Sequence, residues 1–172
     1  MEKTLNMITI RTAGKADISK IEEIAKKTWP IAYKEVISSE QIRYMLDLMY
    51  NKAKIEAAIQ DPNQAFWLAE KQGETLGFCG IEVHNPTSEY LRIHKLYVLP
   101  HTQGLGIGKL LVEKVMEEAQ SHGLHLLHLN VNKKNKAYYF YQKLGFKIDH
   151  EEVIDIGNGF VMDDFVMVKD LS

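Results

Sequence analysis

Cysteine is almost missing from this chain: Cys79 is the only one among 172 residues, which excludes an intrachain disulfide. Its place in a strand-like run reads as a buried, inert thiol. Neither sign of charge is in excess. Lys plus Arg number 21 against 23 Asp plus Glu, so the chain carries no footprint for nucleic acid or an anionic membrane. No stretch approaches the apolar length of a membrane span, and the N-terminus has no apolar run of signal-peptide type, so a soluble, cytoplasmic protein is the expectation. Internal repeats and low-complexity tracts are also lacking. Apolar residues at 45% of 172 suffice for one domain, spanning 1–172, with a single large core.

The most informative stretch is Leu96 to Leu111, where an apolar strand runs through a glycine loop directly into a helix. Gly104, Gly106 and Gly108 allow a tight turn with converging N–H groups, and the helix adds the partial positive charge of its N-terminus. Such a cradle suits a phosphate or pyrophosphate. A dinucleotide fingerprint fails here, because the sixth residue from Gly104 is Lys109 and no acidic residue ends the next strand. A P-loop fails too, since Leu110 stands where Ser or Thr would hold magnesium.

Elements alternate along the chain as in one α/β (α+β) domain. Ile8 to Arg11 reads as a short strand, and Ile18, Ile21, Ile24 and Ala25 recur at helical spacing behind an Asp17 cap, with Trp29-Pro30 as the stop. Ser38-x-x-Gln41 forms a capping-box pattern before the stripe of Ile42, Met45, Leu46 and Met49. Lys52 to Ile59 predicts a short helix ended by Asp61-Pro62. Strands are expected at Ala65 to Glu70 and Leu76 to His84, joined by a Lys71 to Glu74 turn, then at Tyr90 to Leu99 after a turn at Asn85-Pro86. These three should be antiparallel.

After the glycine loop, Leu110, Leu111, Val115, Met116 and Ala119 line one face of a helix ending at His122-Gly123. Leu124 to Val131 reads as a strand covered on both faces. A helix over about Lys136 to Leu144, stopped by Gly145, precedes strands at Lys147 to Ile156 and Phe160 to Val168, which turn around Gly157-Asn158-Gly159.

Gln103-x-x-Gly106-x-Gly108 and, downstream, Asn135-x-Ala137-x-x-x-Tyr141-x-x-x-Gly145-Phe146 together resemble the GNAT superfamily of N-acetyltransferases. The Thr28 to Tyr33 segment is similar to bacterial members that act on polyamines and other small amines. The resemblance covers most of the chain. It implies a GNAT fold, a central mixed, mostly antiparallel, twisted sheet of about seven strands flanked by helices. It also implies acetyl-CoA as co-substrate, with no metal, and direct attack by an amine in a ternary complex. The acceptor it implies is a primary amine of a small molecule such as a polyamine. Peptide or protein N-acetylation, or acyl-CoA binding without turnover, stand as alternatives. A homodimer is compatible with this reading.

The chemistry needs two proton-handling groups. An alkylamine with a pKa of about 10.4 is protonated at pH 7 and must lose a proton before attack, and the CoA thiolate leaves more easily if an acid donates to sulfur. In the family a tyrosine on the helix after the fifth strand commonly donates, and the matching residue is Tyr141. Ala137, Phe140, Tyr141 and Leu144 also form a core stripe, so a packing role stands beside the acid role. Many relatives carry a glutamate in the strand before the loop. Here Arg92 and His94 hold the comparable positions, which makes His94 the first candidate base and Glu82, on a neighbouring strand, the second. Strict alternation places Arg92, His94 and Leu96 on one face and Ile93, Lys95 and Tyr97 on the other.

By the same resemblance, the backbone of Leu96, Tyr97 and Val98 holds the pantetheine. The loop residues Gln103, Gly104, Leu105, Gly106, Ile107, Gly108 and Lys109 hold the phosphates. Asn135 either bonds the cofactor or caps its own helix, and Tyr138 lines the pantetheine or packs. His122, His125 and His128 recur at threes rather than twos, so they do not share a strand face, and no metal is expected. Asp163-Asp164 reads as a solvated turn.

Overall fold

The computed structural model describes residues 7–83, 89–102 and 104–172. Gln103, His84 and the Asn85-Pro86 turn lie outside the described residues. Seven strands make one sheet: β1 (Thr9–Thr12), β2 (Gln64–Lys71), β3 (Glu74–Val83), β4 (Tyr90–Val98), β5 (Leu126–Asn132), β6 (Lys147–Gly157) and β7 (Phe160–Asp170). Among the described residues, five α-helices flank it: α1 (Ile18–Ala32), α2 (Ser39–Met49), α3 (Lys52–Gln60), α4 (Ile107–Ser121) and α5 (Ala137–Lys143). The strand order is β1-β2-β3-β4-β5-β7-β6, and β4 with β5 is the parallel pair in an otherwise antiparallel sheet. Each face has its own core. Helices α4 and α5 cover Trp67, Ile81, Ile93, Leu129 and Met167, while α1 to α3 cover Phe66, Leu68, Phe78 and Met162.

Local sequence accounts for most element boundaries. Gln72-Gly73 and Asn158-Gly159 take positive φ at both central positions, the backbone that two-residue hairpins require. Ser38 Oγ accepts from the Gln41 N–H at 3.1 Å and starts α2. The Gln41 side chain does not complete the box; it donates to the Val161 carbonyl at 2.9 Å and ties α2 to β7.

The structure corrects four local expectations. Asp17 accepts no N–H of α1; its carboxylate takes both terminal nitrogens of Arg11, at 2.9 and 2.8 Å, and the Gly14 N–H. Pro30 does not stop α1, which runs on to Ala32; the exposed ring projects outward while Trp29, 1% exposed, anchors the last turn in the core. Val112 rather than Leu110 completes the buried stripe of α4. Strand β5 is covered fully on one face only: Leu127, Leu129 and Val131 are buried, whereas Leu126, His128 and Asn130 are half-exposed.

A β-bulge decides the site. In the β3–β4 register Ile81 faces Ile93 but Gly80 faces Lys95, which leaves His94 as the extra residue. One inserted residue reverses the face of all that follow. Lys95 and Tyr97 therefore lie on the α1 side with Arg92, and Leu96 and Val98 turn to the α4 core with Ile93, contrary to the alternation drawn from sequence.

Candidate functional site

The β4–β5 ladder runs from Tyr90 opposite Leu126 to Ile93 opposite Leu129 and ends there. Strand β4 continues to Val98 and β5 to Asn132, so beyond the bulge the two central strands part without pairing. This opening leaves the β5-side edge of β4 over residues 96–98 without a strand partner in mid-sheet. An extended chain carrying amides can dock on such an edge by strand-like hydrogen bonds.

Next to the opening, β4 leads through a single turn over Pro100–Thr102 into the glycine loop and α4. Thr102 Oγ1 donates to the Leu99 carbonyl at 2.6 Å, and the Leu105 N–H bonds the Thr102 carbonyl at 3.3 Å, so the loop is internally braced. Gly104 and Gly106 have φ of +90° and +74°, and an added Cβ at either would meet nothing within 4 Å. Open space beside left-handed backbone at a helix N-terminus fits a bulky anion, because the first N–H groups of α4 have no acceptor inside the helix. Gly108 serves differently. Its φ is not positive; a Cβ there would stand 2.9 Å from Phe140, so it lets α5 pack against α4. Lys109 is exposed in the first turn and Leu105 is 49% exposed at the loop tip.

Phenols gather at the opening. The Tyr141 ring is buried against Phe140 and Phe146, at centroid distances of 5.1 and 5.5 Å, so the core stripe is real. Burial, reinforced by Cys79 and Tyr33, pushes its hydroxyl well above the ordinary tyrosine range and keeps it protonated at neutral pH. Tyr33 and Tyr97 share a hydroxyl contact of 3.2 Å. Burial raises both, and the charges of Tyr33, Tyr50 and Tyr141 act on Tyr97 in the same direction. Cys79 is buried with its thiol driven up by desolvation, an inert group.

His94 Nε2 meets Glu82 Oε2 in a short contact on the α1 side. Burial lowers the His94 pKa, with Arg92 and Lys95 pushing the same way and Glu82 opposing, so the ring is neutral at pH 7. Asn135 Oδ1 accepts from the Ala137 N–H at 2.9 Å, the helix-start role. Tyr138 packs on Phe165 at 5.3 Å.

Three residues near the opening carry no local signal of a site role: Tyr33, Arg92 and Asp164, the last in an Asp163-Asp164 pair that reads as a turn. The pair lies in mid-strand β7, where Asp163 bridges to Lys133 at 2.9 Å and Asp164 is 5% exposed opposite Asn132. Two adjacent carboxylates alternate across a strand, one outward and one inward, and only the register shows which.

A parallel pair splayed beside a glycine loop and helix start suited to an anion, with protonated phenols at the gap, fits an acyl-thioester transferase site. Residues 33–165 match the acetyltransferase (GNAT) domain family. An uncharacterised N-acetyltransferase of Mycobacterium tuberculosis is 30% identical over 156 residues, covering 90% of this chain and 98% of that protein. The spermidine N(1)-acetyltransferase of Thermoplasma acidophilum is 27% identical, covering 91% and 96%. In fold, the chain is similar to the PaiA N-acetyltransferase of Thermoplasma acidophilum in complex with coenzyme A, with a TM-score of 0.82 at 24% identity over 95% of this chain and 99% of that one. This chain belongs to the GNAT acetyltransferase family. It is an acyltransferase enzyme of the acetyl-CoA-dependent kind, and its sheet has the mixed, mostly antiparallel seven-stranded order the resemblance implies.

Proposed function

We propose that the enzyme transfers the acetyl group of acetyl-CoA to a primary amine of a small, cationic molecule of the polyamine kind. The observation that carries this reading is the α1 side of the opening, which presents His94 with Glu82 and the inward Asp164, a face suited to an ammonium. The named spermidine acetyltransferase relative agrees with it.

In this reading the phosphates of acetyl-CoA sit on the backbone of Gly104 to Gly108, with Lys109 as an outer cation, and the pantetheine runs along Leu96 to Val98. Asn135 and Tyr138 border that arm. Because α4 lies on one face of the sheet, the acceptor approaches the thioester from the other, past His94. Neutral His94 takes one proton from the acceptor ammonium, and Glu82 steadies the imidazolium. The freed nitrogen forms the C–N bond, and the C–S electron pair leaves on sulfur. Tyr141 gives its proton to that sulfur and recovers one from the nitrogen through solvent.

Thiol release from acetyl-CoA across polyamines, amino acids, aminoglycosides and peptides tests the proposal. Turnover greatest with small polyamines is expected. Release with peptides alone, or with no acceptor, overturns it.

A further inference from the structure

Strands β4, β5, β7 and β6 carry a linked set of polar groups on the face opposite α4. Arg92 Nη2 donates to Asn130 Oδ1 at 2.8 Å. That bond fixes the amide, whose Nδ2 donates to Glu152 Oε2 at 2.9 Å and to Asp164 Oδ2 at 3.3 Å. Asn130 thus joins two carboxylates with one amino group; Glu152 is exposed to solvent, whereas Asp164 is buried. Asp164 Oδ1 is buried and has no hydrogen-bond partner among the described residues. Burying an unpaired carboxylate oxygen costs free energy that folding must absorb elsewhere. Nothing in the packing of β7 calls for it, since Met162 and Val166 occupy the flanking positions on the same face.

We propose that Asp164, with Glu152 beside it, is the subsite for a second ammonium group of the acceptor, so that diamines and longer polyamines are the preferred substrates. This rests on the small-amine reading above and gives it a residue. Asp164 lies two strands from β4, at least about 10 Å at the usual strand spacing and more where β4 and β5 part, a distance a short alkyl chain and two side chains can span. The reacting nitrogen stands at His94, and the distal ammonium supplies the donor that Oδ1 lacks.

The groups facing Asp164 fit a cation. Glu152 faces it from β6, Asp163 flanks it on its own strand, Asn130 and Asn132 face it from β5, and Tyr33, at the end of α1, feels its charge. Arg92, the cation contributed by β4, is engaged by Asn130. Burial, with Glu152 and Asp163 adding to it, raises the Asp164 carboxyl above its ordinary range, a shift a bound ammonium reverses.

Kinetics of wild type and Asp164→Asn with 1,4-diaminobutane and with butylamine test this. The preference for the diamine, as a ratio of kcat/KM values, falls by about 30-fold in the variant, through KM, because one charge-assisted hydrogen bond is lost. The melting temperature of Asp164→Asn equals or exceeds that of wild type, since a buried unpaired charge is removed. A structural residue would give the opposite: lower melting temperature and equal loss on both amines, which overturns the proposal, as does an unchanged diamine KM. If wild type acetylates neither amine, the small-amine reading fails separately. The subsite is then read in the CoA-loaded protein from the Asp164 carboxyl carbon resonance, identified by its loss in Asp164→Asn. Added 1,4-diaminobutane shifts its titration to lower pH; no shift overturns the subsite.

Discussion

Replacing Gly106 by alanine separates what the loop costs the fold from what it does for the ligand. Gly106 is the residue before α4, at φ +74°, and an added Cβ there meets no atom within 4 Å. The stability cost is therefore conformational alone, about 1 to 2 kcal/mol for an L residue held left-handed. In a chain of this length that lowers the melting temperature by roughly 3 to 6 °C. Gly123, at the other end of the same helix with φ +68° and equally open space, supplies the control. Gly123→Ala should pay the same thermal cost. The two variants part on acetyl-CoA. At Gly106 the new methyl group stands in the open space beside the start of α4, and loss of one charge-assisted hydrogen bond to phosphate there, about 1.5 to 3 kcal/mol, weakens binding about 10- to 100-fold. Calorimetric titration with acetyl-CoA, alongside thermal melts, measures both quantities. Wild-type affinity in Gly106→Ala, or equal weakening in Gly123→Ala, refutes the cradle.

Tyr141→Phe should keep the buried ring and its contacts with Phe140 and Phe146, and lower turnover about 100-fold with acetyl-CoA affinity unchanged; unaltered turnover in single-turnover assays removes the acid role. For His94→Ala, activity lost at pH 7 should return as pH rises toward the acceptor's own pKa. Wild-type kcat/KM should fall on acidification with an acidic limb displaced below the ordinary histidine range, because burial lowers the pKa of the His94 ring. A variant retaining that acidic limb argues against His94 as base. Asp17→Asn should destabilise the fold by about 2 kcal/mol, because the carboxylate accepts from Arg11 and Gly14. Arg11 holds the Asp17 carboxyl far below its ordinary pKa. Its contribution is thus full above the unfolded value of about 3.9 and is lost as pH falls toward the lowered one. Urea melts at pH 7 and pH 2.5 should show a clearly smaller variant deficit at the second, where the unfolded carboxyl is protonated but the folded one is not yet.

Elements governed by neighbours in sequence were legible without coordinates. Ser38 caps α2, Gln72-Gly73 and Asn158-Gly159 turn their hairpins, and the glycine loop enters α4, because each depends on φ, ψ and hydrogen bonds within a few residues. Pro30 misled because its local penalty is outweighed by the burial of Trp29, a tertiary effect. Asp17 misled because Arg11, on β1, offers its carboxylate a stronger partner than a helix N–H.

The chain's own letters determined the alternation of strands and helices, the anion cradle and the tyrosine helix, and with them the family and its acetyl donor. Pairing between distant segments decided the rest. The extra residue at His94 exists only relative to β3, the parting of β4 from β5 only where their ladder stops, and the inward turn of Asp164 only in register with Asn132. A strand's period of two says that neighbours point oppositely; which of them points inward is fixed by the partner strand and the core it must cover.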